Sequence, residues 1–146
     1  MSKKVENMEV EARMLLRQKG LRATTQRLAV LAVLRDHKKP ISHEQVMGCL
    51  AKGQFDKATV WRVLSDLVGV EIVHRMDLGD RVWRYELLDV GQTLGHDHAH
   101  FLCNACGEVT CLPPLELRAK DGTLPTALIH ADTRLQISGN CGDCVE

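Results

Sequence analysis

Two C-x-x-C pairs, Cys103 with Cys106 and Cys141 with Cys144, constrain the fold of this chain more than any other feature. Each pair projects two thiolates from a tight knuckle at the roughly 2.3 Å zinc–sulfur distance, and two knuckles close a tetrahedral four-cysteine site with no open position. Gly107 after the first pair and Gly142 inside the second supply the backbone freedom that such turns need. The 34 residues between Cys106 and Cys141 exceed the span of a compact zinc ribbon. An ion held there must tie distant parts of the C-terminal region together. The other reading of a C-x-x-C pair is thioredoxin-like redox chemistry, but neither pair sits in a βαβ pattern. A closed four-cysteine zinc site explains stability rather than function, so functional ligands are to be sought elsewhere.

The chain has 146 residues, 45% hydrophobic and 26% charged, which suits one soluble globular domain or two small ones. Its N-terminus, "MSKKVENMEVEARM", is charged throughout, and the longest apolar run, Leu28 to Leu34, is far too short for a bilayer. A cytoplasmic protein without membrane association is expected. In that reducing compartment six cysteines point to metal or redox chemistry rather than disulfides. The zero net charge conceals a division: residues 1–87 hold 16 Lys+Arg against 11 Asp+Glu, and residues 88–146 hold 3 against 8. The basic part suits phosphate and the acidic part suits cations, although by itself the division is a weak signal.

Hydrophobic periodicity predicts four helices and then a hairpin. Val5 to Lys19 carries apolar residues at 5, 8, 12, 15 and 16 and stops at Gly20. Thr24 or Thr25 caps a second helix through about Lys38, with Leu28, Leu31, Ala32 and Leu34 on its buried side. A third begins at Ser42, which forms a capping box with Gln45, and buries Val46, Met47 and Leu50, with Cys49 also expected in the core. The fourth starts from Asp56 and ends at Gly69, burying Val60, Val63, Leu64, Leu67 and Val68 and exposing Trp61, Arg62, Ser65 and Asp66. "EIVHRM" and "RVWRYELL" flank the turn "DLGD" and read as a two-stranded wing. The fold class is therefore α+β: a winged-helix DNA-binding domain over residues 1–88, a hinge over 89–95, and a small strand-rich domain over 96–146.

Three histidines precede the first knuckle. On a strand His96, His98 and His100 face one way, while Asp97, Ala99 and Phe101 face the other. Neighbouring imidazoles on one strand face converge on a single ion if further ligands come from elsewhere, and Glu86 on the wing and Cys111 after the knuckle are the nearby candidates. The plainer alternatives are a solvated polar strand face and, for Cys111, a small buried hydrophobe. Helix-turn-helix shapes also occur in proteins that touch no DNA; exposed Trp61 and Arg62, with Arg22, Lys57, Arg75 and Arg81 spaced for phosphates, argue for a nucleic-acid face.

"GLRATTQRLAVLAVL", "DKATVWRVLSDLVGVEIVHR", "HDHAHFLCNACGEVTCL" and the closing "CGDC" resemble, in that order, the ferric uptake regulator family of bacterial metal-dependent repressors. The resemblance runs from about Gly20 to Cys144. It implies a homodimer of winged helices joined by C-terminal α/β dimerisation domains, with metal at the hinge controlling fit to an operator. It also implies that Thr59, Val60, Trp61 and Arg62 occupy the recognition-helix signature, Trp standing where Tyr is usual, and that Arg22 is the minor-groove cation. The implied sensor ligands are Glu86, His98, His100 and Cys111, with a thiolate in a carboxylate's place. Sulfur with imidazole suits zinc better than iron or manganese, which points to the zinc uptake branch. Pro40 stands where the family often adds a histidine, with His37 and His43 near it. A second family site is degraded to Asp97, Ala99 and Thr133, close to His96, Glu116 and His130.

The expected protein is thus a non-enzymatic, zinc-dependent homodimeric repressor of zinc-import genes that binds an A/T-rich pseudo-palindromic double-stranded DNA operator. Zinc is structural at Cys103, Cys106, Cys141 and Cys144 and regulatory at the hinge ligands. The rivals are an iron, manganese or peroxide sensor of the same family and, from another class, a metal-storage or chaperone protein. A zinc deaminase needs an H-x-E motif and a P-C-x-x-C, and neither is present.

Overall fold

The computed structural model describes residues 2–88, 99–129 and 135–145. The chain divides into two compact units, Met1–Val90 and Gly91–Glu146. The hinge expected at 89–95 and the histidines at 96 and 98 lie outside the described residues, as do His130 and Thr133.

The first unit begins with α1 (Ser2–Gln18), which stops where Gly20 takes φ +77° and the amide of Leu21 bonds back to the Leu16 carbonyl at 2.8 Å. That left-handed residue followed by a six-to-one bond is a Schellman stop, which a Cβ at position 20 would strain. Helix α2 (Thr25–His37) is capped by the Thr24 side chain, and α3 (His43–Cys49) by the reciprocal Ser42–Gln45 box. Helix α4 (Lys57–Gly69) starts at Asp56, whose carboxylate accepts from the Thr59 amide at 2.6 Å. Each cap satisfies backbone N–H groups that a helix start otherwise leaves bare.

Leu16, Val30, Leu31, Leu34, Ile41, Val46, Leu64, Leu67 and Tyr85 meet in one core that fixes the crossing of α2, α3 and α4. Two expected core positions differ. Ala32 is exposed and Val30 is buried in its place, and Val5 at the start of the α1 stripe is exposed too. Cys49 is exposed as well. It is the last residue of α3, and the chain extends at Leu50, whose side chain takes the buried place beyond Val46.

The wing has three strands rather than two. The hairpin of β2 (Val73–Asp77) and β3 (Trp83–Leu87) is joined by β1 (Ile41–Ser42), which pairs antiparallel to β3 with Ile41 opposite Tyr85. Two residues are too few to show a period, but their pairing pins the start of α3 to the wing. The second unit has a three-stranded sheet ordered β5-β4-β6: β4 (His100–Cys103), β5 (Val109–Cys111) and β6 (Gln136–Gly139). Strand β5 runs antiparallel to β4, and β6 runs parallel to it. Among the described residues no helix is long and apolar enough to cross a membrane.

Candidate functional site

The parallel register of β4 and β6 closes the long separation between the two knuckles. Cys103 pairs with Gly139, so both strands finish at the same end of the sheet and each runs straight into its cysteine turn. The Asn104 amide bonds to the Gly139 carbonyl at 2.7 Å and locks the two ends together. Within the first knuckle the Gly107 amide returns to the Cys103 carbonyl at 2.9 Å, with Gly107 at φ +73°. In the second, the Cys144 amide returns to the Cys141 carbonyl at 2.9 Å.

The four sulfurs lie within 4.8 Å of one another. Cys106 Sγ and Cys141 Sγ are 3.8 Å apart. A regular tetrahedron with zinc–sulfur bonds of roughly 2.3 Å has an edge of about 3.8 Å, so the donors fit that ion in both kind and spacing. The Cys141 amide donates to Cys103 Sγ at 3.3 Å. Backbone N–H groups of Cys106 and Cys141 draw the Cys103 thiol down to about 6, whereas Cys144 is pushed up to about 12 by the neighbouring Cys141 and Cys106 sulfurs. One thiolate forms readily at Cys103 while the neighbouring sulfurs hold Cys106 and Cys144 in the protonated form, a conflict that a divalent cation among them would resolve.

The remaining proposed metal ligands fall as follows. His100 is buried on β4, directly opposite half-buried Cys111 on β5. A buried His100 removes the solvated-face alternative at that position. Glu86 is buried on β3 of the first unit, opposite His74 of β2. His98 lies outside the described residues. His37 donates from Nδ1 to the Val33 carbonyl at 2.9 Å, its Nε2 lies 3.6 Å from Cys49 Sγ, and His43 Nε2 is 3.0 Å from the Lys57 carbonyl. Glu116 forms an exposed ion pair with Arg118.

The nucleic-acid candidates belong to the first unit. Trp61 is 56% exposed although a tryptophan there gains nothing from water, and Arg62 beside it is exposed too, while Val60, Val63, Leu64 and Leu67 bury the opposite stripe of α4. Thr59 is half-buried at the start of the helix, and Arg22 stands exposed on the loop between α1 and α2. On the wing, the Arg75 guanidinium stacks 4.2 Å over the Trp83 ring, and Trp83 is half exposed. Sequence reasoning passed over Trp83 and also over Arg27, which bonds to both the Arg22 carbonyl and Asp66. The cross-strand offset of 75 and 83 in a hairpin is a signal for the first; no spacing rule signals the second.

A helix-turn-helix presenting an aromatic–cation pair, a β-wing, and a second unit gathered around four thiols define the class: a winged-helix regulator with a metal-binding unit. Residues 18–122 match the model of the ferric uptake regulator family. The ferric uptake regulation protein of Shigella flexneri is 32% identical over 143 residues, 90% of each chain. The crystal structure of the Vibrio cholerae ferric uptake regulator superposes with a TM-score of 0.67 at 24% identity, covering 88% of this chain and 98% of that one. A zinc uptake regulator complexed with zinc and DNA superposes at 0.58 with 25% identity, covering 95% and 93%. The chain belongs to the ferric uptake regulator family and is a metal-responsive DNA-binding regulator.

Proposed function

We propose that this protein is a dimeric, zinc-responsive repressor of zinc-uptake genes, acting in the cytoplasm on an A/T-rich pseudo-palindromic operator. The observation that carries the choice of zinc is Cys111 directly opposite His100 on adjacent strands, a sulfur and an imidazole donor of the kind zinc accepts and iron(II) or manganese favours less. Cys103, Cys106, Cys141 and Cys144 hold the structural zinc. Glu86, His98, His100 and Cys111 hold the sensed ion, Glu86 from the wing strand and the others from the second unit. When bound, the ion supplies a positive centre that makes the thiolate and carboxylate compatible in one site.

The chain's own residues do the rest. Coordination shared between wing and second unit sets the two recognition helices about one or two DNA turns apart, the spacing at which a dimer reads two half-sites. Thr59, Trp61 and Arg62 face base edges, where Trp61 packs on thymine methyls without the hydrogen bond a tyrosine hydroxyl supplies, and Arg22 enters the minor groove. The likeness to a zinc uptake regulator solved with zinc and DNA supports both the metal and the target.

An iron or manganese sensor on the same scaffold is the rival, favoured by the oxygen donor Glu86 and by the ferric uptake regulation protein of Shigella flexneri. The deciding experiment is metal analysis of the purified full-length protein, with retardation of an operator selected from random-sequence DNA measured after chelation and stepwise return of zinc, iron(II) or manganese. Zinc is expected to restore binding at the lowest free concentration. Restoration by iron(II) or manganese below the effective zinc concentration overturns the choice of metal, and metal uptake without retardation points to storage.

A further inference from the structure

Arg27 lies in the first turn of α2, and its guanidinium donates in two directions. Nη1 reaches the backbone carbonyl of Arg22 at 2.8 Å, and Nη2 reaches Asp66 Oδ2 on α4 at 2.8 Å. The same Arg22 carbonyl accepts the Thr24 amide at 3.0 Å, and Thr24 in turn caps α2. One side chain therefore joins the loop that presents Arg22 to the outward face of the recognition helix. Asp66 is one turn beyond Arg62 on that face, and Arg27, Asp66, Thr59 and Arg62 all line the cleft between α2 and α4.

An ion pair here contributes little to folding, since the Asp66 side chain is 47% exposed and water screens it. Standing alone, moreover, an acid on a helix face that meets a polyanion opposes binding. We propose that Arg27 and Asp66 are positioning residues for operator recognition: they hold the Arg22 loop at a set place relative to α4, so that the minor-groove cation and the recognition helix meet one stretch of DNA together. The gain is preorganisation, because a tethered loop has less freedom to lose on binding. The proposal rests on the DNA-binding reading of Arg22 and Arg62.

Its test uses full-length, metal-loaded protein carrying Asp66→Asn or Arg27→Gln, measured against the selected operator and a random-sequence duplex of equal length. Asp66→Asn is expected to lower operator affinity roughly tenfold, while affinity for the random duplex stays level or rises because a negative charge has gone. Tighter binding to both duplexes overturns the proposal, since Asp66 is then only a repelling charge. A double-mutant cycle with Arg22→Ala is expected to be non-additive, with the loss of Arg22 costing less once Asp66 is neutral; additive losses overturn the coupling. Hydrogen exchange at the Thr24 amide supplies a readout without DNA. It is expected to quicken in both variants while the melting temperature of Asp66→Asn stays near that of the wild type, and unchanged exchange overturns the brace. Should Arg27→Gln fail to fold, Asp66→Asn carries every arm alone. If the wild type binds neither duplex, the DNA-binding reading falls and the proposal with it, whereas faster exchange with unaltered operator selectivity overturns the proposal alone.

Discussion

Replacing Cys111 with Ser exchanges a single atom, yet that atom separates a zinc ligand from a poor one. Cys111 is half-buried and opposite His100, so a hydroxyl is accommodated without a clash. Cys111→Ser is expected to keep its fold and its four-cysteine metal while DNA retardation requires about tenfold more zinc or greater, with His100→Ala at least as severe. Retardation at the wild-type zinc concentration would make Cys111 a core residue and remove the main argument for zinc. Arg62 shows the same economy on the other unit. It is exposed, and among the described residues it makes a long 3.4 Å bond to the Ala58 carbonyl and a charge interaction with Asp56, so Arg62→Ala is expected to leave core, dimer and metal content intact. Operator affinity, read by fluorescence anisotropy, is expected to drop about 10- to 100-fold.

Elements respond to different losses. The knuckles between β4 and β5 and after β6 are held by short backbone bonds and by the sulfurs they gather. For a metal ion held by those sulfurs, binding free energy would also be folding free energy. Cys141→Ser, or strong chelation of the wild type, is therefore expected to melt the second unit early and abolish dimerisation, seen as loss of stoichiometric zinc and an altered sedimentation profile. A variant that keeps its thermal midpoint without metal would refute that role. The wing hairpin is stapled instead by Arg84, only 5% exposed at its side chain, which donates to both Asp80 oxygens at 2.8 and 2.7 Å. Those bonds hold the Asp80 carboxyl below its ordinary value. A carboxylate with a depressed folded pKa adds stability that is complete above its unfolded value, about 4, and is lost as pH falls through the lower folded value. Asp80→Ala is expected to cost about 2 kcal/mol at neutral pH, and its stability should change less than the wild type's between pH 5 and 3 (~2 units), measured by urea unfolding across that window.

For the whole molecule, DNA and metal binding are linked. If zinc raises operator affinity by some factor, operator must raise zinc affinity by the same factor, which competition against a zinc chelator with and without operator will check. Unequal factors would mean that the two ligands do not act through one equilibrium. The excess of Lys and Arg over residues 1–87 suits phosphate contacts by the first unit, and operator affinity is expected to fall steeply with salt as counterions are released.

Helix starts were legible from the residues alone because a cap is a local transaction: Asp56 with Thr59, Thr24 with Arg27, and Ser42 with Gln45 lie three apart, and backbone geometry brings them together whatever the rest of the chain does. The stripe of α4 and the hairpin turn were legible for the same reason, and so were the two cysteine pairs, because C-x-x-C spacing brings two thiols together in one turn. Longer-range choices were not. Whether the side chain at 49 or at 50 is buried depended on where α3 stopped; the two residues of β1 acquire strand character only by pairing with β3. The convergence of Cys103 and Cys141 required β6 to run parallel to β4 in one register, and the reach of Arg27 to Asp66 spans 39 positions. Local hydrogen bonds and periodicity are written into neighbouring residues, whereas register, burial at element ends and ion pairs between distant elements exist only once the entropy of closing the chain has been overcome by packing.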